Sequence, residues 1–454
     1  MEVAGIAAEV VARVEREATD LLTQLIRLDT SNPPGNETIV AEALDTWFRQ
    51  HGLEGEIVGE PAERRSFVLR LTGSRPGPRL ALMAHEDVVP AEAQNWTEPP
   101  FDGLVKDGYV WGRGAIDVKN LLAAFAVAVA RLADDGRDFA GEVLFVAEAD
   151  EEDGAIGGAR WLCANRPDLV SCDYLLNEGG GEFLTLDGGQ RLYELHVGEK
   201  GTAQFRVVVH GEAGHASVPL AHGNAVVGAA DVIRALHDYE PEISLDAVPR
   251  EYVRLLVDDA GLRGRLLDAT AARDGLAELG ERDRLAAELL APLYGLTFSP
   301  TIVHSSGEAV NVYPQRAVVT VDCRMPVGWT EDRVRGEIER ALASVDARWE
   351  LEFVGTVEGN ASPVDTPYLA AISGVMQRLV PGASVVPVHS VGFTDSNWFR
   401  AAFPGVVAYN FAPFVVDDSA AVAGLFHNVD ERIAVADLTF QSLFAYELVR
   451  ELLA

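Results

Sequence analysis

The chain has 454 residues, which is more than one ordinary hydrophobic core accommodates, so at least two domains are expected. Its 70 acidic and 37 basic residues give a net charge of −33, which argues against nucleic acid or an anionic membrane as a partner. No apolar run is long enough to span a membrane. The 3 cysteines lack metal-binding spacing and fit a reducing, cytoplasmic location.

The first 200 residues alternate between helix and strand patterns. Helical periodicity covers 5–28 and 37–51, on either side of the turn Ser31–Gly35. Apolar runs that predict strands then alternate with helical stretches, the runs being 67–71, 80–84, 143–147 and 174–176 and the helices 119–133 and 155–165. Strands interleaved with helices predict an α/β domain whose mostly parallel sheet is covered on both faces.

The pattern changes near residue 201. An alternating strand at 204–210 opens a βαββαβ order that ends near 356, and a charged helical excursion at about 240–298 lies within it. Helix and strand patterns return after 357. We therefore predict a catalytic domain formed by 1–200 and 357–454, interrupted by an inserted domain at 201–356.

Histidines and acids follow several of the predicted strands, at the edge of a parallel sheet where sites form. His85 and Asp87 are two residues apart, so they share a face, and Asp87 is placed to hold the second ring nitrogen of a metal-binding His85. Glu151 and Glu152 end a buried strand, where burial would raise their pKa values. A metal ion removes this difficulty, with one glutamate binding it and the other moving protons.

Three further positions carry candidate ligands. Asp117 lies in a glycine-rich turn before an apolar helix, Glu178 directly follows a short strand, and His427 lies late in the chain. Each signal alone is weak, since Asp117 could cap the helix, Glu178 could belong to a simple turn and a single histidine is more often structural.

Taken in order, these motifs resemble the di-zinc metallohydrolases that include aminoacylase, carboxypeptidase G, acetylornithine deacetylase, succinyl-diaminopimelate desuccinylase and the cytosolic dipeptidases. The resemblance runs from about residue 20 to residue 450. It rests on His-x-Asp-Val-Val-Pro, Gly-Arg-Gly-Ala-x-Asp-x-Lys, Asp-Glu-Glu-x-Gly, Asn-Glu-Gly, Gly-x-x-Gly-His-Ala-Ser, Asp-x-Arg and the final histidine.

The resemblance implies two zinc ions, with cobalt or manganese as alternatives. One would be held by His85, Asp117 and Glu178, and the other by Asp117, Glu152 and His427, so that Asp117 bridges them. Glu151 would be the general base, and the peptide bond Asp117–Val118 is a candidate for the cis form.

The inserted domain would supply further residues and act as a lid or dimerisation domain. The resemblance implies that His215 stabilises the oxyanion, in its own site or in that of a partner. Asn311 and Arg324 would bind the carbonyl and carboxylate of the substrate, and Gly392 would contact the same carboxylate through its backbone. Arg324 has a structural alternative, a cross-strand salt bridge.

The motifs and the family they resemble predict a cytoplasmic metallo-amidohydrolase that cleaves an amide or peptide bond next to a free carboxylate. The substrate would be an N-acyl amino acid or a small peptide. The alternatives are an amidase for carbamoyl or ureide groups and a metal-binding protein without catalytic activity. A homodimer through the inserted domain is compatible with the resemblance.

Overall fold

The computed structural model of the protein describes residues 3–186, 188–218, 223–245, 250–307 and 309–454. They form two compact units. Unit 1 comprises Met1–Val197, Ser362–Pro387 and Thr394–Ala454, and unit 2 comprises Gly198–Ala361 and Val388–Phe393. Residues 246–249 of the predicted excursion lie outside the described residues. Gly392 belongs to unit 2, whereas the sequence division placed it in the catalytic domain.

Helices and strands alternate along most of the chain. The first part of the chain contains α1 (Ala8–Ile26), α2 (Thr38–Gln50), β1 (Glu56–Val58), β2 (Ser66–Thr72), β3 (Arg75–His85), β4 (Leu104–Lys106), β5 (Tyr109–Trp111), α3 (Lys119–Asp134), β6 (Ala140–Glu148), α4 (Ala159–Asn165), α5 (Pro167–Val170), β7 (Tyr174–Asn177), β8 (Phe183–Thr185) and β9 (Arg191–Glu199). The middle part contains β10 (Gly201–His210), α6 (Ala225–Asp238), α7 (Arg250–Leu256), α8 (Ala260–Leu266), α9 (Ala272–Arg282), α10 (Arg284–Leu290), β11 (Thr297–Ser305), β12 (Arg316–Met325), α11 (Glu331–Ala341) and β13 (Arg348–Val357). The last part contains α12 (Pro367–Leu379), β14 (Ser384–Ser390), α13 (Ser396–Ala402), β15 (Val407–Asn410), α14 (Ser419–Ala423), β16 (Arg432–Ala434) and α15 (Val435–Leu452).

The main sheet of unit 1 has a parallel centre. Its strand order is β1-β2-β6-β3-β7-β15-β9-β14, with β8 beside β9. The neighbours β6, β3, β7 and β15 run parallel, and antiparallel pairs flank them. The predicted α/β class with a mostly parallel central sheet is confirmed. A small antiparallel sheet, β16-β5-β4, lies beside the segment that precedes α3.

Both faces of the central strands are buried, which explains their continuous apolar runs. In β3, Leu80 and Leu82 join the core cluster that contains α1, α3 and α15, whereas Ala81 and Met83 join the cluster that contains α4 and α13. Successive side chains of a strand point to opposite faces, so one apolar run serves two cores. No helix in the described part of the chain is long and apolar enough to cross a membrane.

Unit 2 contains an antiparallel sheet in the order β11-β12-β10-β13. Alternate residues of β12, such as Val319 and Val321, are buried against α6 and α11, which gives the half-buried alternation seen in the sequence. The order β10, α6, β11, β12, α11, β13 is the predicted βαββαβ, and helices α7 to α10 form the excursion between α6 and β11. Lys200 anchors the end of this excursion by donating to the carbonyls of Pro292 (2.9 Å) and Gly295 (2.7 Å).

Candidate functional site

The parallel strands bring the predicted acids and histidines of unit 1 to one edge of the sheet. His85 is the last residue of β3 and is paired with Glu148 at the end of β6. Glu151 and Glu152 follow β6, and Glu178 follows β7. The edge therefore collects side chains that are far apart in sequence, as parallel strands predict.

Two segments from outside the sheet complete this cluster. Asp117 lies just before α3, and its peptide bond to Val118 is cis, as predicted. His427 lies on the turn after α14, with a φ of 55°. The cluster thus contains His85, Asp117, Glu151, Glu152, Glu178 and His427.

The two oxygens of Asp117 face different imidazole rings. Oδ1 lies 3.2 Å from Nε2 of His85, and Oδ2 lies 3.1 Å from Nε2 of His427. Glu178 Oε2 is 3.6 Å from the His85 ring nitrogen, and Glu152 Oε2 is 3.2 Å from that of His427. The carboxylate of Asp117 therefore lies between two groups of potential metal ligands, each with one imidazole and one further glutamate.

Charge and burial act against each other in this cluster. Burial raises the pKa of Glu151 well above its usual value, and the negative charge of Glu178 raises it further. The pKa of His427 is raised to about 10 by its hydrogen bonds with Asp117 and Glu152. Burial favours the neutral form of His85, yet the carboxylates of Glu178 and Asp117 raise the pKa of this ring well above its usual value. The site therefore attracts positive charge.

These residues fit divalent cations. Possible ligand atoms of His85, Asp117 and Glu152 lie within 4.8 Å of one another, as do those of His85, Glu151 and Glu178. Glu152 Oε1 is buried without a hydrogen-bond partner among the described residues. Imidazoles combined with carboxylates are a donor set that suits zinc, and a cation would remove the repulsion among the buried acids.

Asp87 organises the site more widely than predicted. Nδ1 of His85 donates to the backbone carbonyl of Asp87 (2.9 Å), and the Asp87 carboxylate lies slightly farther away, at 3.4 Å. This carboxylate accepts hydrogen bonds from the backbone N–H groups of Glu151 and Glu152 (3.1 Å each) and from the amide of Asn32 (2.8 Å). Asp87 thus fixes both the first histidine and the turn that carries the two glutamates.

The acidic run 150–153 divides into residues with different surroundings. Asp150 accepts from Arg64 (2.5 Å), Asn32 (3.2 Å) and the backbone of Gly157 (2.8 Å), so its carboxylate shapes the turn. Asp153 is exposed. The sequence pattern gave roles to Glu151 and Glu152 but none to Asp150, Asp153 or Asn32, although Asn32 lies in the turn Ser31–Gly35 that the pattern marked.

Several buried acids near the cluster were given no role from the sequence, among them Glu148, Asp395 and Glu431. Glu148 and Asp395 are both buried, and burial raises the pKa of each well above its usual value. Glu431 is also buried and accepts hydrogen bonds from Arg113 and from the backbone N–H of Asp117. The available signal for Asp395 was its position in the loop that carries Gly392, and for Glu431 its position four residues after His427.

The predicted substrate-binding residues belong to unit 2. His215 is exposed and accepts a hydrogen bond from the backbone of Ser217 (3.2 Å). Its segment pairs with that of Asn311, since Ala216 donates to the Asn311 carbonyl (2.9 Å). Arg324 donates from Nε (2.8 Å) and Nη2 (3.2 Å) to Asp322, so its salt bridge is with the same strand, β12.

Gly392 donates its backbone N–H to the hydroxyl of Ser390 (3.1 Å). The roles assigned to His215, Asn311, Arg324 and Gly392 stay predictions.

The chain belongs to the peptidase family M20/M25/M40, whose model matches residues 81–451. It is 26% identical over 464 aligned residues to the human N-fatty-acyl-amino acid synthase/hydrolase PM20D1, covering 96% of this chain and 87% of that protein. It is also 26% identical over 388 residues to a probable succinyl-diaminopimelate desuccinylase of Staphylococcus aureus, covering 85% of this chain and 86% of that protein. The resemblance to this group of metallohydrolases is thereby confirmed.

A solved structure shows the same fold. The M20 family metallo-carboxypeptidase Sso-CP2 from Sulfolobus solfataricus superposes with a TM-score of 0.74 at 17% identity, covering 96% of this chain and 99% of that one. The protein is therefore an enzyme of a metallopeptidase and amidohydrolase family that acts on peptide or amide bonds.

Proposed function

We propose that this protein is a zinc-dependent hydrolase that cleaves an amide or peptide bond next to a free carboxylate. The observation that carries the proposal is the position of Asp117, whose two carboxylate oxygens face His85 and His427. The first cation would be held by His85, Asp117 and Glu178, and the second by Asp117, Glu152 and His427. When bound, such cations polarise a carbonyl group and lower the pKa of a water molecule.

The residues of the chain then have separate tasks. Glu151 is the carboxylate of the cluster that is assigned to neither cation, and its ligand atom lies within 4.8 Å of those of His85 and Glu178. It would take a proton from the attacking water as the water oxygen bonds to the amide carbon. It would pass that proton to the nitrogen as the carbon–nitrogen bond breaks. A positioned acid–base group of this kind contributes about 10²- to 10⁴-fold to the rate.

The proposed substrate is an N-acyl amino acid or a small peptide. The names of two relatives support this class, since one is described as acting on N-fatty-acyl amino acids and the other as a desuccinylase of succinyl-diaminopimelate. Arg324 would bind the substrate carboxylate. Asp322 holds this guanidinium through Nε and Nη2, so that the edge carrying Nη1 is the one offered to the substrate. The substrate would also be bound by three further residues of unit 2, Asn311, His215 and Gly392.

The first experiment compares Glu151→Gln with Asp153→Asn, a matched amide substitution at an exposed position of the same acidic run. Both proteins are loaded with zinc, cobalt or manganese and assayed on N-acyl amino acids and dipeptides, with metal content measured. We expect Glu151→Gln to retain its metal and to lose about 10³-fold in kcat, whereas Asp153→Asn keeps wild-type activity. Near wild-type turnover by Glu151→Gln would remove this residue from the mechanism.

The second experiment tests recognition of the carboxylate. Arg324→Met should raise KM for the best substrate by about tenfold or more, and it should have little effect on an analogue whose carboxylate is converted to an amide. Equal effects on both compounds would show that Arg324 does not bind the carboxylate. The cysteine content supports a cytoplasmic location. A homodimer through unit 2 stays a prediction that sedimentation can test.

A further inference from the structure

A single buried carboxylate connects the segments that carry two of the proposed ligands. Glu431 lies four residues after His427, immediately before β16, and its side chain is fully buried. Its Oε1 accepts hydrogen bonds from the backbone N–H groups of Ile116 (2.8 Å) and Asp117 (3.1 Å). Its Oε2 accepts one from Nη1 of Arg113 (2.6 Å). Both oxygens therefore bind the glycine-rich segment that presents Asp117.

The backbone around Glu431 strengthens this connection. Gly112 donates to the carbonyl of Glu431 (2.9 Å), and β16 pairs with β5 directly beside it. The preceding residue, Asp430, accepts from the backbone and hydroxyl of Thr97 (2.7 and 2.8 Å). Residues just after His427 are thus held to two other segments of unit 1. His427 itself is more than half exposed, with its side chain 55% accessible.

The choice of a charged residue here has an electrostatic cost. Glu431 is a second carboxylate next to Asp117, and both are buried, so the two repel each other. Arg113, which is also buried and lies over the ring of Trp96, offsets this repulsion in part. A neutral amide could accept the same two backbone hydrogen bonds at lower cost. The extra negative charge, by contrast, favours a cation bound at Asp117.

We propose that Glu431 is a positioning residue that sets the affinity of the cation site formed by Asp117, Glu152 and His427. It holds the backbone of the bridging aspartate against the turn of His427, so that the two side chains meet at 3.1 Å. This inference rests on the proposed function, because it assumes that these residues bind a cation. Groups that orient metal ligands in this way typically change metal affinity 10- to 100-fold when they are replaced.

The test measures metal binding rather than turnover. Glu431→Gln and Glu431→Met are titrated with cobalt(II) in a metal buffer, and the absorption spectrum and bound metal are followed for each equivalent. We expect one equivalent to bind as in the wild-type protein. The other should bind about tenfold more weakly in the Gln variant and about 100-fold more weakly in the Met variant. Circular dichroism of the metal-free proteins checks that each variant folds.

A buried carboxylate of unit 2 provides the matched control. Glu337 is buried and forms hydrogen bonds with Arg340 and with Tyr239 (2.5 Å), so Glu337→Gln removes the charge of a buried carboxylate in the other unit. Its metal affinity should equal that of the wild-type protein. If Glu431→Met does not fold, the metal affinity of Glu431→Gln is sufficient to test the role of Glu431.

Unchanged binding of both equivalents by a folded Glu431→Gln overturns the assignment. A wild-type protein that binds no metal refutes the proposed function instead.

Discussion

Replacing Asp87 by alanine should destabilise unit 1 through the turn that carries Glu151 and Glu152. The substitution removes the acceptor of the backbone N–H groups of these two glutamates and one of the two acceptors of the Asn32 amide. Hydrogen bonds to a charged group are worth about 1.5 to 3 kcal/mol each. Relief of repulsion from neighbouring acids offsets part of this loss, so we expect a net cost of about 4 kcal/mol.

The pKa of Asp87 supports the sign of this effect. Burial alone would raise it, but hydrogen bonding and charge attraction with His85, together with the bonds from Asn32 and Glu152, hold it below its usual value of 3.8. A lowered pKa means that the folded protein stabilises the anion. The difference in the free energy of unfolding between wild type and Asp87→Ala should therefore be largest above about pH 4. It should decrease as the pH falls through the lowered pKa of Asp87.

Differential scanning calorimetry of the metal-free proteins measures the effect. For a unit of this size, about 4 kcal/mol corresponds to a melting temperature that is roughly 8 °C lower. The control is Asp138→Ala, because the side chain of Asp138 is 83% exposed and binds only Arg75 among the described residues, so less than about 1 kcal/mol is expected. Similar shifts for the two variants would refute the reasoning, as would a shift confined to the unfolding of unit 2.

Two other predictions concern the same unit. Burial raises the pKa of Asp437 to about 6, even though it accepts hydrogen bonds from the backbone of Val415 and Val416. A raised pKa stabilises the fold below pH 3.8, and this stabilisation is lost as the pH rises through about 6. The free energy of unfolding measured in urea should therefore fall by roughly 2–3 kcal/mol between pH 4 and 7 in the wild-type protein, and Asp437→Asn should lack this decrease. Identical pH profiles would contradict this. Gly158→Ala would place a methyl group against the carbonyl oxygen of Ala149 and should lower both stability and activity. Gly154→Ala in the same turn meets no atom within 4 Å and should cost only about 1 kcal/mol for its φ of 95°. If Gly158→Ala and Gly154→Ala lost the same activity and the same melting temperature, close packing at Gly158 would not be required.

Some elements were too short or too polar to be predicted. Strand β9 was missed because its charged residues, such as Glu194, interrupt the apolar run. Strands β4, β5 and β16 have three residues each, which is too few for a pattern, and the pairing of β5 with β16 joins segments more than 300 residues apart. By contrast, the apolar run at 80–84 predicted β3, and the alternation at 204–210 predicted β10 as a half-buried strand.

The sequence by itself determined the fold class and the identity of the clustered residues. Strand periodicity is local, and parallel strands present their C-terminal ends at one edge, so His85, Glu151 and Glu178 could be grouped without coordinates. Only the tertiary structure decided what the other acids of the run contact and how Asp117 divides its two oxygens between His85 and His427. Those choices depend on contacts between residues distant in the chain, such as Arg64 with Asp150, and no local pattern encodes such contacts.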